Sequence, residues 1–543
     1  MEILKIIVIL LEVLLFFNLM IVVHELGHFL AARWRGLVVE RFGIWFGKPL
    51  WQKRINGVWY SLGSIPAGGF VALPQLAPME AIEGHSDLDR AKLPPVAPID
   101  KIIVAIAGPL FSFGLAVIFA VAVWWLGRPV SEAEATTTIG YVLPDSPAEK
   151  AGLRAGDRLV SIDGKAVTRW GGISSDSVTW RIVRSEHDTV QVGYVRDGVT
   201  NETVASPVIP ARRFWQRQAT RQLQMMPAET PMVAAVEPGS AAEKAGLRPN
   251  DLITQVNGVR LFSPLGITEY ARKNPDQSLN LSVQRGSESV QVTLEPKGVP
   301  VSAVMPGSPA EAAGIRRGDR VVAINGTSYR VAEEFSQQVQ KSGGKELVFT
   351  LSRDQEKIDV RVQPAIPVDD TVPRIGVMWG SDTGIIYDEF GRFEVIHPGP
   401  VEQIRLAMMA IVNTFEALLS KKSDIKLQHM SGPVQIVRVY YILFENVDGW
   451  RQAIWFSVIL NVNLALLNLM PVPVLDGGHI VLAMLEGIRR RPLNGRVLAY
   501  IQYTFASLII GFMLYVTFFD AQDWLGGGSN GPQMRFEAKP ADK

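Results

Sequence analysis

The strongest chemical signal in the sequence is a pair of histidines near its start, in the segment His24-Glu25-Leu26-Gly27-His28. Residues four apart lie on one face of an α-helix, so both imidazoles can bind one metal ion. Glu25 lies beside them and can take a proton from a metal-bound water, so the spacing predicts a metal centre with Glu25 as general base. The alternative is a chance pair of packed histidines. The motif ends an apolar helix, where ionisable residues are usually functional, and this disfavours the alternative.

A third metal ligand has to come from elsewhere, because a catalytic zinc ion usually has three protein ligands and one open position for water. The chain has no cysteine, so this ligand must be Asp, Glu or His. Asp476 is the best candidate, since an unpaired carboxylate at the end of an apolar run is costly unless a cation neutralises it. Pro471 and Pro473 break the helix just before it. The alternative is a plain turn aspartate before a Gly-Gly pair. We expect His479 to pack near the site rather than to bind the metal.

The composition indicates a protein that lies partly in lipid. Of the 543 residues 48% are hydrophobic and 20% are charged, against about 25% charged in soluble domains. With 54 Lys and Arg against 53 Asp and Glu, the net charge is +1, so nothing electrostatic favours nucleic acid as a partner. The absence of cysteine excludes disulfides, zinc thiolate sites and a cysteine nucleophile.

Four apolar runs are long enough to cross a bilayer as helices, and they cover residues 3–23, 102–125, 453–475 and 497–519. The third is the least typical, since it contains three asparagines. A signal peptide is the alternative for the first run, but no small-x-small cleavage site follows it. Lysines and arginines follow the first and third runs and predict that these loops are cytoplasmic. Both termini and the long central region are then outside, and both metal-ligand motifs lie at the inner face.

A glycine-rich stretch, residues 57–73, lies between the first two runs. Its alternating aromatic and aliphatic residues, with Gly68 and Gly69, predict a β-hairpin.

The central region contains an internal repeat, with copies at 144–164, 238–258 and 306–326. In each copy a serine starts a short helix that ends at a glycine. An aspartate, a buried strand and an Asx-Gly hairpin turn follow. This pattern resembles the PDZ domain in the form where the helix precedes that strand. The alternative is three unrelated β-rich modules, which three matching copies make a poor explanation. A helix over 400–420 is predicted to pack on this array or, alternatively, to lie on the membrane surface.

Together these motifs resemble the site-2 protease family of intramembrane metalloproteases. The family features are the histidine motif in a first membrane helix and Asn468-x-x-Pro-x-Pro-x-Leu-Asp-Gly in a later one. PDZ modules inserted between spans two and three are similar to the bacterial regulator-of-sigma-E protease branch. Two departures stand out. Ser112 follows Gly108-Pro109 where the family pattern usually has asparagine, and three PDZ-like copies occur where the branch typically has two.

The resemblance implies a zinc endopeptidase that cuts single-pass transmembrane segments in the bilayer after another protease has acted. Such substrates include an anti-sigma factor or a signal-peptide remnant. It also implies that His24, His28 and Asp476 bind Zn²⁺, and that Asn468 and Asn463 hydrogen-bond the unwound substrate. The alternative role for the asparagines is hydrogen bonding between helices. Residues 57–73 would be a membrane-reentrant loop that adds a substrate strand, and the PDZ array would filter by size or bind peptide C-termini.

We therefore predict a polytopic α-helical membrane protein, with about four transmembrane helices and inserted β-rich PDZ modules, in the bacterial inner membrane. The predicted division is spans one and two with the reentrant hairpin (1–126), three PDZ-like modules (127–226, 227–298, 299–366), a linker with an amphipathic helix (367–449), spans three and four (450–520) and a flexible tail (521–543).

Two other functions fit parts of the sequence. A catalytically silent membrane scaffold, whose PDZ modules bind peptide C-termini, should have lost Glu25 or a ligand, and all of them are present. A secreted soluble zinc peptidase would need a third ligand shortly after His28, and no usable motif follows it.

Overall fold

The structure is a computed structural model that describes residues 2–526, with the exception of 77–92, 173, 213–214, 239, 275–276, 296–297, 330, 354–355, 368–370, 381–382, 389–392, 421, 447 and 492–494. The two ends of the chain form a helical part, and the middle forms three β modules. Most of the predicted tail, residues 527–543, lies outside the described residues. Residues 521–526 belong to the last helix.

The N-terminal part consists of two long apolar helices with a four-stranded sheet between them. Its elements are α1 (Glu2–Trp34), β1 (Arg41–Phe46), β2 (Trp51–Ile55), β3 (Val58–Leu62), β4 (Ile65–Ala72) and α2 (Pro98–Leu126). One hydrophobic core joins the sheet to both helices and includes Phe29, Phe42, Val58, Val71 and Val104. The sheet is therefore fixed against the helices that carry the metal motif.

The predicted hairpin at 57–73 is wrong in its pairing. The strand order is β2-β3-β1-β4, so β3 and β4 do not pair with each other, and each pairs with β1. The tight hairpin turn is instead Asn56-Gly57 between β2 and β3, where both residues have positive φ, as such turns require. Gly68 and Gly69 lie within β4, which is an edge strand.

The middle of the chain folds into three β modules, each around its own hydrophobic core. The first contains β5 (Arg128–Ser131), α3 (Glu132–Ala135), β6 (Ile139–Val142), α4 (Pro147–Lys150), β7 (Arg158–Ile162), β8 (Lys165–Ala166), α5 (Val178–Arg184), β9 (Val190–Arg196), β10 (Val199–Ala205) and β11 (Met225–Pro227). The second begins with β12 (Val233–Val236), α6 (Ala241–Lys244), β13 (Leu252–Val256), β14 (Val259–Arg260), α7 (Leu265–Lys273), β15 (Leu279–Arg285) and β16 (Glu288–Leu294). The third contains β17 (Val299–Val304), α8 (Pro309–Ala312), β18 (Arg320–Ile324), β19 (Thr327–Ser328), α9 (Ala332–Lys341), β20 (Leu347–Arg353), β21 (Glu356–Val362) and β22 (Val377–Trp379).

The modules are nested rather than strictly consecutive, and this differs from the predicted boundaries. The strand β23 (Ile385–Tyr387) follows the third module but pairs with β12 of the second. Likewise β24 (Phe393–Ile396) returns to pair with β5. The second module is thus interrupted by the third, and the segment predicted as a linker from 367 supplies one strand to each of the three modules. Repeated local motifs do not encode such a return, because it depends on pairing between distant segments.

Five further helices complete the helical part. They are α10 (Pro400–Leu419), α11 (Pro433–Glu445), α12 (Gly449–Asn468), α13 (Asp476–Arg489) and, as the long terminal helix of this group, α14 (Gly495–Gly526). A 3₁₀ turn (Leu427–His429) precedes α11. Ala407 of α10 packs with Ala116 of α2 and Val462 of α12, so the apolar face of α10 packs against helices of the membrane part. The C-terminal end of the helix contacts the first β module, where Glu416 lies 3.5 Å from Arg184.

Among the described residues, three helices are long and apolar enough to cross a membrane, namely Leu4–Trp34, Pro98–Leu126 and Val497–Trp524. The third predicted run, 453–475, is not one continuous helix. It is helical only to Asn468, and a turn through Pro471 and Pro473 leads to a new helix at Asp476, because proline cannot continue the backbone hydrogen bonding of a helix. Four spans therefore stay a prediction.

Candidate active site

Two helices bring together the three residues that were predicted to bind a metal. His24 and His28 lie one turn apart on α1, and Asp476 is the first residue of α13. The two Nε2 atoms are 3.2 Å apart, and they lie 3.2 and 3.3 Å from the Asp476 carboxylate oxygens. Both histidines are buried. Residues 448 positions apart in the chain thus offer three ligand atoms to one point.

These distances fit a tetrahedral zinc ion. Zinc binds imidazole nitrogen and carboxylate oxygen at about 2.0–2.1 Å, so neighbouring ligand atoms in a tetrahedron lie about 3.3 Å apart. The Nε2–Nε2 separation of 3.2 Å and the distances of 3.2 Å from His24 to Oδ2 and 3.3 Å from His28 to Oδ1 of Asp476 are close to that value. In addition, Asp476 Oδ2 is buried and accepts no hydrogen bond of good geometry from the described residues. A cation would satisfy this oxygen, so the residues present fit zinc.

The other ring nitrogen of each histidine is held by α2. His28 Nδ1 lies 2.8 Å from the Val104 carbonyl oxygen, and His24 Nδ1 lies 2.9 Å from Ser112 Oγ. A carbonyl can only accept, so His28 donates through Nδ1–H and its Nε2 keeps a lone pair for a metal. Partners of this kind orient metal-binding histidines in many proteins.

Gly108 lies between these two contacts and allows α1 and α2 to approach closely. A Cβ on Gly108 would lie 2.1 Å from His28 Nε2, which leaves no room for any side chain. From the other side, a Cβ on Gly27 would lie 2.4 Å from the Ala107 carbonyl oxygen. The two glycines therefore set the distance at which α2 can reach the histidines.

An open cleft of about 320 Å³ surrounds the three ligands and also contains Glu25. Its wall comes from α1, α2, β4, α12 and α13, and includes Gly69, Val71, Ala105, Leu464 and His479. His479 therefore lines the cleft beside the ligand group, as predicted, while the group that could hold a metal consists of His24, His28 and Asp476. The cleft combines a carboxylate base, three ligands and space for a peptide, which is the chemistry of hydrolysis by a metal.

The edge strand β4 lines this cleft with its outer backbone groups, and the Val71 amide donates a hydrogen bond to the Glu25 carboxylate. The Ala72 carbonyl accepts a hydrogen bond from the Glu40 amide on the inner side of the sheet. In an antiparallel pair successive residues point their amide groups to opposite sides, so Gly69 and Val71 direct theirs outward. Gly69 packs closely on α1, since an added Cβ would lie 3.3 Å from Glu25 Cγ. An unpaired edge of this kind can accept another strand.

The structure separates the two asparagines that were predicted to bind substrate. Asn468, the last residue of α12, lines the cleft, and its Nδ2 lies 3.4 Å from His24 Nε2. Asn463 is not among the described residues that line the cleft, and its Oδ1 is buried without a hydrogen bond. Five residues of α-helix correspond to a rotation of about 140°, so the two side chains cannot share one face.

Sequence reasoning missed the role of α2 in the site. Gly108 was noted only as part of a family motif, and Ser112 only as a departure from it. The available signal is their spacing, because residues 104, 108 and 112 are successive positions at intervals of four and lie on one helix face. That face meets the face of α1 that carries the two histidines.

A group of potential zinc ligands, two of them on a helix apolar enough to cross a membrane, is typical of a membrane metallopeptidase, and comparison with known proteins agrees. The model of Peptidase family M50 matches residues 12–512, so the chain belongs to this family. The resemblance to site-2 proteases is confirmed, and the chain is a membrane zinc metalloprotease.

Curated relatives match along nearly the whole chain. Protease RseP of Yersinia pestis is 27% identical over 514 residues, which are 93% of this chain and 96% of that protein. Regulator of sigma-E protease RseP of Escherichia coli K12 is 25% identical over 522 residues, again 93% and 96%. Among solved structures, the PDZ domain of an SdrC-like protein from Listeria monocytogenes matches 15% of this chain and 87% of its own length, with 20% identity and a TM-score of 0.15. A score this low supports no conclusion about the modules.

Proposed function

We propose that this protein is an endopeptidase that cleaves single-pass membrane segments within the bilayer, after another protease has removed their outer part. The observation that carries the proposal is the position of the site. Three ligands and Glu25 converge in a cleft on a helix long and apolar enough to cross the membrane, beside a free strand edge. A soluble substrate would not require the site to lie on such a helix.

Each residue of the site then has a chemical task. His24, His28 and Asp476 hold zinc, which when bound supplies a Lewis acid for the scissile carbonyl and for the attacking water. Glu25 accepts the proton of that water and passes it to the leaving amide nitrogen. Asn468 lies within reach of the ligand group, so its amide can hydrogen-bond the backbone on either side of the scissile bond.

The edge of β4 would hold the substrate in an extended form. A helix buries its carbonyls in internal hydrogen bonds, so a transmembrane segment has to unwind before it can be cut. The outward backbone groups of Gly69 and the outward carbonyl of Val71 replace those lost bonds by strand addition. Because a glycine at 69 carries no side chain, the added strand can approach Glu25 closely.

The membrane arrangement and the modules complete the proposal. We place the protein in a bacterial inner membrane, with α12 as a fourth span, the site near the cytoplasmic face and the β modules outside. The modules would act as PDZ domains that exclude bulky substrates or bind new peptide C-termini. This role rests on the repeat and on the positively charged loops after spans one and three.

The test compares Glu25→Gln and Asp476→Asn in the full chain, with a single-pass membrane reporter in lipid vesicles. We expect Glu25→Gln to keep bound zinc and lose cleavage by at least 100-fold, the usual scale of general-base catalysis. Asp476→Asn should lose zinc as well. Glu12→Gln lies on the same helix away from the cleft and serves as the matched control, with activity retained.

The competing function is a silent scaffold that binds peptides through its modules. It predicts that the unaltered protein neither retains zinc nor cleaves the reporter. Normal cleavage by Glu25→Gln would contradict the mechanism itself, and unchanged zinc in Asp476→Asn would remove this residue from the ligand set.

A further inference from the structure

We propose that Ser112 is a positioning residue for the metal site: its hydroxyl holds the His24 imidazole in the tautomer and orientation that direct Nε2 to the metal. This inference rests on the proposed zinc centre. It assigns a role to the residue that departs from the family pattern in α2.

The contact is buried and well formed. Ser112 Oγ lies 2.9 Å from His24 Nδ1, Ser112 is fully buried, and His24 is 7% exposed. Breaking this bond would leave the Ser112 hydroxyl and the His24 Nδ1 unsatisfied between apolar helices, which is costly. The serine hydroxyl is therefore a lasting partner of the ring.

The ligand geometry decides which atom donates. His24 Nε2 faces His28 Nε2 and Asp476 at 3.2 Å, so this nitrogen needs its lone pair to bind a metal. In a neutral imidazole the proton then lies on Nδ1, and the serine oxygen accepts it. Without that acceptor the ring can adopt either neutral tautomer. In one of them the proton lies on Nε2, where the metal would bind.

The two histidines differ in how they are held, and this makes Ser112 testable. The acceptor for His28 is a main-chain carbonyl, that of Val104, which no substitution removes. The acceptor for His24 is a side chain. Residues 104 and 112 are two helical steps of four apart, with Gly108 between them, so one face of α2 serves both rings. Replacement of Ser112 consequently affects one ligand and leaves the other in place.

The experiment measures zinc affinity by competition with a chelator, on the full chain in detergent or vesicles. We expect Ser112→Ala to weaken zinc binding by about 10-fold to 100-fold, as for other outer partners of metal-binding histidines. Ser112→Thr keeps the hydroxyl and should restore most of the affinity. Ser457→Ala is the matched control, because Ser457 is also fully buried in a helix but bonds Tyr440 instead. It should bind zinc like the unaltered protein.

A second readout does not depend on cleavage. In the zinc-bound protein with ¹⁵N-labelled histidine, the Nδ1–H of His24 should give a hydrogen-bonded signal, and Ser112→Ala should shift that signal while leaving the Nδ1–H signal of His28 in place. Unchanged affinity and an unchanged His24 signal in Ser112→Ala would overturn the proposal, as would an equal loss in Ser457→Ala. If the unaltered protein binds zinc but cleaves no membrane segment, the proposed function fails while this inference stands.

Discussion

At the scale of single residues, the metal site depends as much on an absent side chain as on its ligands. His28 lies directly against Gly108, and a methyl group there would occupy the position of the imidazole. A helix would normally be stabilised by alanine in place of glycine, by up to about 1 kcal/mol. Glycine at position 108 is therefore explained by the space that the His28 ring occupies and not by the conformation of the helix.

We accordingly expect Gly108→Ala to displace His28 and to reduce both zinc binding and cleavage by more than 10-fold. Gly114 on the same helix is the matched control, since no described atom lies within 4 Å of a Cβ added there. Gly114→Ala should leave zinc affinity unchanged. The measurements are zinc content after dialysis and reporter cleavage. Equal behaviour of the two variants would contradict the proposed steric role of Gly108.

At the scale of elements, the repeat is explained by a local set of hydrogen bonds that recurs in each module. Ser146, Ser240 and Ser308 each accept a bond from the third amide of the short helix that follows. The buried aspartate of each copy binds an arginine on a later strand, in the pairs Asp157–Arg196, Asp251–Arg285 and Asp319–Arg353. These pairs tie the turn after the helix to the sheet, so the repeated residues are structural.

We expect Asp319→Ala to destabilise the third module by about 2 kcal/mol, because Arg353 and the Arg316 amide lose a buried charged acceptor. The contacts at stake are 2.7 Å long. Glu346→Ala is the control in the same module, since the Glu346–Arg361 pair is 3.8 Å long and exposed and such pairs contribute little. Hydrogen exchange of β18 and β20 would measure both changes.

The same pair predicts a pH dependence. Burial acts to raise the pKa of Asp319, but the hydrogen bonds from Arg353 and the Arg316 amide outweigh it and hold that pKa below its ordinary value. A group whose pKa is lower in the folded state stabilises the fold above its unfolded pKa, about 3.9 for aspartate. This stabilisation is lost as the pH falls through the folded value. In Asp319→Ala, the stability of the third module should therefore fall less as the pH is lowered than it does in the unaltered protein.

At the scale of the whole molecule, nesting joins parts that the sequence places far apart. Ile385 follows the third module but lies in the core of the second. The first module is tied to the last helix, since Arg217 lies 2.7 Å from the buried Asp520 of α14. The Asp520 carboxylate also accepts a hydrogen bond from the Gly432 amide at the start of α11. The β modules are thus connected to the membrane part by strands and charges, as well as by the chain itself.

We expect Ile385→Ala to destabilise the second module by about 3 kcal/mol, the usual cost of removing a buried isoleucine side chain, and to leave the third module unaffected. Val377→Ala, in β22 of the third module, should destabilise the third module and leave the second unaffected. Hydrogen exchange of β13 and β15 compared with β18 and β20 distinguishes the two. Equal effects of Ile385→Ala on both modules would contradict the nested arrangement.

The sequence by itself determined the features that depend on local geometry. The interval of four residues places His24 and His28 on one helix face, and the prolines before Asp476 end a helix there. The repeated cap and aspartate recur because each copy forms the same short-range hydrogen bonds. These features depend on neighbours within a few residues, so the residue types and their spacing are sufficient to predict them.

Only the tertiary structure decided what depends on contacts between distant segments. The close approach of α2 places Ser112 and Gly108 beside the histidines. The orientation of α12 about its axis places Asn468, and not Asn463, among the described residues that line the cleft. Strand pairing placed β1 between β3 and β4 and returned Ile385 to an earlier module. Side chains that meet across helices and sheets are chosen by packing, in which many weak contacts act together, and no single stretch of sequence contains that information.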